Sequence, residues 1–307
     1  MIEIISKFFI NDSKNYNSPP VRKSYGIICA ACGITLNLLM FILKLIASAY
    51  TGSVAAAVDA VHNLTDSASS AVTLLSFLLS GQKKTKNFPM GKGRVEYITG
   101  FIIAIVLITA GFQLAKASIM KIITPEPVTF SLISVSLLII SVLTKFYMAH
   151  FNSKYGNLIS SAALKASATD CLCDSIATLI AAFAIISVNF TSFNTDAWGG
   201  LAVSIFILFA GCKSAKDTIK MLIGSTPDDE MIEQINITAG HFPEIASVDN
   251  IIIHDYGPEN RLLCFNTYLN GDFPLNKAVA IKNQAENELK NITGCEIQMI
   301  LCNKKSP

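Results

Sequence analysis

The stretch Val58-Asp-Ala-Val-His-Asn-Leu-Thr-Asp-Ser-Ala-Ser-Ser70 lies inside an apolar run long enough to cross a bilayer, yet it carries Asp59, His62 and Asp66. A second apolar run repeats this pattern at Asp170-Cys-Leu-Cys-Asp174. His62 and Asp66 are four residues apart, as are the two aspartates of the second run, so each pair lies on one face of a helix. Ionisable groups at membrane depth are costly and indicate function. Two such pairs would supply four nitrogen and oxygen ligands to a divalent transition metal.

The composition places the chain in a membrane. Of its 307 residues, 51% are hydrophobic and only 15% are charged, whereas a soluble domain carries about 25% charged residues. The net charge of +2 gives no reason to expect a nucleic-acid partner. Six apolar runs each reach the roughly 20 residues that span the hydrocarbon core. They cover approximately residues 25–50, 53–80, 97–123, 130–150, 158–188 and 198–223.

Basic residues are concentrated on one predicted side of the membrane. Twelve belong to, or lie near, the N-terminal segment and the loops after the second and fourth runs: Lys7, Lys14, Arg22, Lys23, Lys83, Lys84, Lys86, Lys92, Arg94, Lys145, Lys154 and Lys165. The opposite loops have only Lys116 and Lys121. Because basic loops stay on the cytoplasmic side, both termini are expected in the cytoplasm of a multi-pass protein of the cell membrane.

The last part of the chain is predicted to be a small cytoplasmic domain. Its elements follow the order α-β-β-α-β, with strands expected at residues 248–254, 262–269 and 296–302. Such an α+β domain, of ferredoxin-like type, is small enough to be marginal alone, so we expect it to dimerise. The predicted organisation is an N-terminal cytoplasmic segment, a six-helix transmembrane domain and this dimerisation domain, at residues 1–24, 25–223 and 224–307.

Several segments together resemble the cation diffusion facilitator family of divalent metal cation/proton antiporters. In chain order they are Asn37-Leu-Leu-Met-Phe41 with Lys44, Asp59 to Asp66, Phe88-Pro-Met-Gly-Lys-Gly-Arg-Val-Glu-Tyr97, Ala163 to Asp174, and His254-Asp-Tyr-Gly-Pro258. The resemblance covers nearly the whole chain. It implies a transport site at His62, Asp66, Asp170 and Asp174, a homodimer, and no cofactor besides the transported metal.

The chain departs from the family pattern in its loops. Phe88 and Lys92 stand where many members have metal-binding histidines, so no loop site is expected. In the C-terminal domain, histidines of relatives are replaced by other residues. His254 and Asp255, with Cys264, remain as weaker candidates for a cytoplasmic metal site, and a structural role is the alternative.

Asp59 and the polar residues of the runs allow further interpretations. Asp59 could accept the second ring N–H of His62 and orient it, or it could interact with solvent or a basic residue near the helix end. The four predicted ligands could instead be interhelical contacts, but two pairs of ionisable residues are unusual for that role.

The predicted function is export of a divalent transition metal in exchange for protons. Carboxylates and an imidazole that hold a metal must release protons, so metal and protons compete for one site. No GxxxxGK[ST] loop is present to indicate ATP drive. Zinc is favoured because an imidazole suits it; manganese is next, then iron, cobalt and cadmium. A membrane metalloenzyme and a non-transporting partner of a homologous transporter are the alternatives from other classes.

Overall fold

The computed structural model describes residues 16, 18–51, 54–80, 84–124, 132–187, 195–224, 226–227, 229–257, 260–271 and 273–302. Predictions that fall on residues 7, 14, 53, 83 and 258 lie outside this part of the chain. Two compact units are present. One comprises Met1–Gln82 with Val95–Ile219, and the other comprises Lys83–Arg94 with Lys220–Pro307.

The first unit is built from long helices, as the apolar runs predicted. They are α1 (Pro19–Thr51), α2 (Val54–Ser80), α3 (Arg94–Ile123), α4 (Leu132–Leu158), α5 (Ala162–Ser187) and α6 (Thr195–Ile223). Five of them, all except α2, are long and apolar enough to cross a membrane. Helix α2, with 27 residues, is also long enough to cross a membrane. It is less apolar because it carries Asp59, His62 and Asp66. The multi-pass helical fold is therefore confirmed.

Four of these helices pack as two pairs. Helix α1 lies along α2 and α4 along α5, while α1 also contacts α4 and α2 also contacts α5. Buried Tyr25, Phe77, Met148 and Tyr155 fill the space between α1, α2 and α4. At Gly26 a Cβ atom would collide with the ring of Phe77, so a small residue is required for this close approach. The packing places α2 beside α5, which carry the predicted ligands.

A buried ion pair joins α1 to the beginning of α3. Helix α1 starts at Pro19, earlier than the predicted residue 25, because proline is tolerated in a first turn. Arg22 is therefore helical, and its Nη2 lies 2.6 Å from Glu96 Oε2 while its Nε donates to the Ile159 carbonyl at 2.9 Å. Arg22 and Glu96 are both buried. This ion pair stabilises the packing of α1 against the beginning of α3.

Lys145 was counted among the basic residues near the loop after the fourth run, but it lies inside α4. The fourth span was expected to end near residue 150, but α4 continues to Leu158, and Lys145 is buried inside the helical unit. The helix is longer because Phe151 and Tyr155 pack into the core and continue its buried face. Lys145 therefore gives no support to the predicted orientation, which rests on the remaining basic residues.

The second unit contains the predicted αββαβ domain. Its elements are α7 (Asp229–Gly240), β1 (Ile245–Asp255), β2 (Arg261–Leu269), α8 (Leu275–Thr293) and β3 (Glu296–Cys302). The sheet order is β1-β2-β3, with β1 antiparallel and β3 parallel to the central strand. Ile235 of α7 and Leu289 of α8 pack on Phe265 and Met299 to form its core. The predicted C-terminal α+β domain is confirmed.

The segment that connects α2 to α3 belongs to this second unit. Arg94 donates from Nε to the Asp255 carbonyl at 2.9 Å, and its guanidinium lies 4.6 Å from the centre of the Tyr256 ring. Gly93 lies so close to Gly257 and the Tyr256 carbonyl that a Cβ would be 2.6 Å from that oxygen. The turn after β1 is thus held by a Gly-Arg pair from the connecting segment.

Candidate metal centre

Helices α2 and α5 bring three of the four predicted ligands together. His62, Asp66 and Asp174 each offer one ligand atom, and these atoms all lie within 4.8 Å of one another. His62 Nε2 is 3.9 Å from Asp66 Oδ2 and 3.8 Å from Asp174 Oδ1. Nitrogen and oxygen ligands bind transition metals at about 2.0–2.2 Å. The three atoms therefore surround a space in which one ion could be bound after a small adjustment of the side chains.

The two carboxylates of the cluster are buried, whereas the imidazole is more exposed. The side chains of Asp66 and Asp174 are only 11% and 18% exposed, whereas that of His62 is 53% exposed. Buried carboxylates without a compensating charge are unfavourable, so the interior of this site favours a cation or bound protons. Among the residues that the structure describes, no other group of at least three His, Cys, Asp or Glu side chains comes this close.

Asp170 lies outside this cluster. It is one helical turn before Asp174 on α5, so it points along the same face. Its carboxylate interacts electrostatically with Asp66 and Asp174, but it is not one of the grouped ligand atoms. The structure thus leaves the fourth predicted ligand near the site, and its role as a ligand stays a prediction.

Lys145 of α4 contacts both carboxylates of the cluster. Its Nζ is 2.5 Å from Asp66 Oδ2 and 2.8 Å from Asp174 Oδ2, and its side chain is only 5% exposed. An ammonium thus bridges the carboxylates of α2 and α5. The sequence prediction did not include Lys145 in the site, because it counted this lysine among the basic residues near the loop after the fourth run. The apolar residues on both sides, from Leu137 to Met148, were the signal that it is intramembrane.

Asp59 contacts a lysine of α1. Lys44 Nζ lies 2.7 Å from Asp59 Oδ2 and also donates to Ser141 Oγ of α4 at 3.1 Å. Of the interpretations that the sequence allowed, the structure shows the pairing with a basic residue. Lys44 and Ser141 are both buried, so the contact stabilises the approach of α1, α2 and α4 beside the site.

A profile described as the cation efflux transmembrane domain matches residues 30–223, which includes α2, α4 and α5. The chain belongs to the cation efflux family, the cation diffusion facilitators. As a member of this family it is a metal cation transporter and not an enzyme. The match covers most of the helical unit, which contains every residue of the cluster described above.

Characterised and uncharacterised relatives extend the similarity into the C-terminal domain. An uncharacterised transporter of Methanocaldococcus jannaschii is 23% identical over 264 residues, covering 83% of this chain and 91% of the relative. The cation-efflux pump FieF of Cronobacter sakazakii is 23% identical over 273 residues, covering 88% and 90%. A cadmium, cobalt and zinc/H(+)-K(+) antiporter of Bacillus velezensis is 27% identical over 263 residues, covering 84% and 83%.

The departures from the family pattern have structural counterparts. Lys92 Nζ lies 5.1 Å from the centre of the Phe88 ring, so these two positions form a cation–π contact. Asp255 accepts from the Gly257 N–H at 2.8 Å and lies 3.4 Å from Arg261 Nε. Both features indicate structural roles for this turn and the connecting segment.

The weaker candidates of the C-terminal domain are not assembled into a site. His254 is exposed on β1 and pairs in register with Leu262. Partial burial raises the pKa of the Cys264 thiol, so the thiolate that would bind a metal is disfavoured near neutral pH. Within the described part of the chain, neither His254 nor Asp255 belongs to a group of potential ligands.

Proposed function

We propose that this cation diffusion facilitator exports a divalent transition metal from the cytoplasm in exchange for protons, with His62, Asp66, Asp170 and Asp174 as the transport site. The observation that carries the proposal is the cluster of one imidazole and two carboxylates on α2 and α5, within 4.8 Å of one another. Oxygen and nitrogen ligands of this kind suit divalent transition metals. Their position on two separate helices lets a movement of α2 against α5 open and close the site.

Proton exchange follows from the chemistry of these ligands. A carboxylate or an imidazole must be free of protons at the atom that binds the metal. Metal entry therefore releases protons, and protons that enter from the other side displace the metal. The name of the Bacillus velezensis relative includes an exchange for protons and potassium, which supports a cation-coupled cycle here.

Zinc is the proposed substrate, and manganese is the alternative. The imidazole of His62 favours zinc, while three carboxylates favour a harder ion such as manganese. The name of the Bacillus velezensis antiporter includes cadmium, cobalt and zinc, which supports zinc. Iron, cobalt and cadmium are further candidates.

Metal flux in liposomes tests the proposed function. The purified chain is reconstituted in liposomes that contain a metal-sensitive dye, with an acidic interior and a neutral exterior. We expect zinc to enter only when both protein and pH gradient are present, and an ionophore that removes the gradient should reduce this uptake. Passive zinc entry that is insensitive to the gradient would contradict proton exchange.

Replacement of His62 is expected to change selectivity. Because His62→Asn removes the imidazole and leaves the carboxylates, zinc transport should fall by roughly 10-fold or more while manganese transport falls much less. His150→Asn, a matched change at an exposed residue of α4, should alter neither rate. Initial rates for both metals are measured in the same liposomes. Equal losses in His62→Asn would mean that the imidazole does not select, and manganese would then be favoured.

We propose that both termini are cytoplasmic, in a cell membrane. The basic residues outside Lys145 support this orientation. A reporter inserted at residue 194, between α5 and α6, and one fused to the C-terminus are therefore expected on opposite sides of the membrane. Activity of both reporters on the same side would contradict the proposed orientation.

The homodimer is proposed on the basis of the C-terminal sheet. Helices α7 and α8 cover one of its faces. Ile252 of β1 and Ile300 of β3 nevertheless have 42% and 46% of their surface exposed. Apolar residues on an exposed sheet face favour association with a second copy.

A further inference from the structure

We propose that Lys145 is a tethered cation of the transport site, which competes with the metal for Asp66 and Asp174 and withdraws from them when metal binds. The inference rests on the proposed function, because it assigns a role to a residue within that site. None of the segments that resemble the family includes Lys145. Its role is inferred from its contacts with both carboxylates.

The ammonium contacts both carboxylates. At Asp66 it shares the oxygen atom that faces His62, whereas at Asp174 it contacts Oδ2 and His62 faces Oδ1. Lys145 Nζ contacts Asp66 Oδ2 at 2.5 Å and Asp174 Oδ2 at 2.8 Å. Asp66 Oδ2 is also the atom that faces His62 Nε2, at 3.9 Å. A metal held by His62 and Asp66 would therefore lie next to the ammonium. Two cations this close in a buried site repel each other strongly.

The charge of the site supports an exchange of one cation for another. Without metal, the carboxylates of Asp66 and Asp174 are buried and need a positive partner. Lys145 supplies it, and by bridging α2 to α5 it holds the two ligand-bearing helices in one arrangement. With metal bound, the ion takes over this bridging role and the ammonium becomes an excess charge. The two states thus differ in which cation joins α2 and α5.

The side chain of lysine is suited to this exchange. Four methylene groups let the ammonium move by several ångströms while the backbone of α4 stays in place. Lysine binds as a single point charge, without the planar fork that fixes arginine, and this makes its replacement by a metal ion geometrically simple.

Lysine labelling in the unmodified protein tests the withdrawal. The full chain in lipid nanodiscs is treated briefly with acetic anhydride, with and without saturating zinc, and acetylation of each lysine is measured by mass spectrometry. We expect zinc to raise the labelling of Lys145 at least threefold, because the ammonium leaves its carboxylate partners. Lys44, which is equally buried beside Asp59, serves as the internal comparison and should change little. Unchanged or reduced labelling of Lys145 in zinc-bound protein would overturn the inference.

Zinc affinity of substituted proteins tests the competition. Lys145→Met removes the charge and keeps the length of the side chain, and we expect at least a 10-fold tighter dissociation constant for zinc at pH 7. Lys145→Arg retains the charge and should bind no tighter than the wild type. Lys116→Met, at an exposed lysine of α3, is the matched control and should leave the affinity unchanged.

The outcomes separate the inference from the proposed function. Wild-type protein that binds no divalent metal would refute the proposed function and this inference with it. Wild-type protein that binds zinc, together with a folded Lys145→Met variant of equal or weaker affinity, would refute the competition alone. If Lys145→Met does not fold, the acetylation of Lys145 in the wild-type protein, with and without zinc, tests the inference instead.

Discussion

Asp66→Asn and Asp174→Asn are each expected to reduce zinc transport by about 100-fold or more. Loss of a residue that merely supports a metal ligand typically costs about 10–100-fold, and these two carboxylates are proposed to bind the metal directly. Asparagine keeps the shape of the side chain and removes the charge that offsets the ion. It also removes one of the two anions that contact Lys145, so the positive charge of the site rises further.

The matched control for these substitutions is Asp217→Asn. Asp217 is an exposed residue of α6 and lies outside the group of potential ligands. The Asp217→Asn variant should therefore transport zinc at the wild-type rate. Initial rates of zinc uptake are compared in liposomes with equal amounts of folded protein. Retention of more than half of the wild-type rate by Asp66→Asn or Asp174→Asn would contradict the proposed site.

Glu96→Gln is expected to lower the free energy of unfolding by about 3–5 kcal/mol. Removing one partner from a buried ion pair leaves the other charge uncompensated, which typically has an effect of this size. Glu96 is fully buried and its Oε2 lies 2.6 Å from Arg22 Nη2. Its replacement by a neutral amide leaves the Arg22 guanidinium without this charge, at the point where α1 meets α3.

The comparison for Glu96 is an exposed ion pair. Glu296 lies 3.0 Å from Lys290, and both side chains are more than half exposed, so Glu296→Gln should change stability by about 0–1 kcal/mol. Unfolding of each variant is followed in mixed detergent micelles. A similar loss of stability for Glu96→Gln and Glu296→Gln would show that the buried pair does not fasten the helices.

The elements of this fold could be predicted from local patterns in the sequence. Apolar runs of sufficient length identified the helices, and alternation with turn residues identified β3 with the bounds that the structure has, Glu296–Cys302. The end of α4 was wrong because the sequence becomes polar after His150. The helix nevertheless continues there, since only one of its faces, with Phe151 and Tyr155, needs to be apolar.

The candidate site could be predicted only in part, because its ligands lie on one face of each helix but its cations come from other helices. Spacing of four residues identified His62 with Asp66 and the two aspartates of α5. The partners Lys145 and Lys44 are 79 and 15 residues away from Asp66 and Asp59 respectively. No local periodicity encodes such pairings, which depend on how the helices pack.

Asp170 shows that spacing alone can also predict a ligand that the structure does not group with the others. Its spacing from Asp174 is that of the pair on α2, yet it is outside the cluster. The spacing fixes which face of α5 it occupies, whereas its distance from α2 depends on the position of the helix along its axis and on the side-chain rotamer.

The most direct measurement is X-ray absorption spectroscopy of zinc bound to the wild-type protein, compared with the Asp66→Asn/Asp174→Asn double variant. We predict one bound zinc per chain, with one imidazole nitrogen and otherwise oxygen neighbours at about 2.0–2.2 Å, and loss of this spectrum in the double variant. A sulfur neighbour at about 2.3 Å, or an unchanged spectrum in the double variant, would contradict binding of the metal by His62, Asp66 and Asp174.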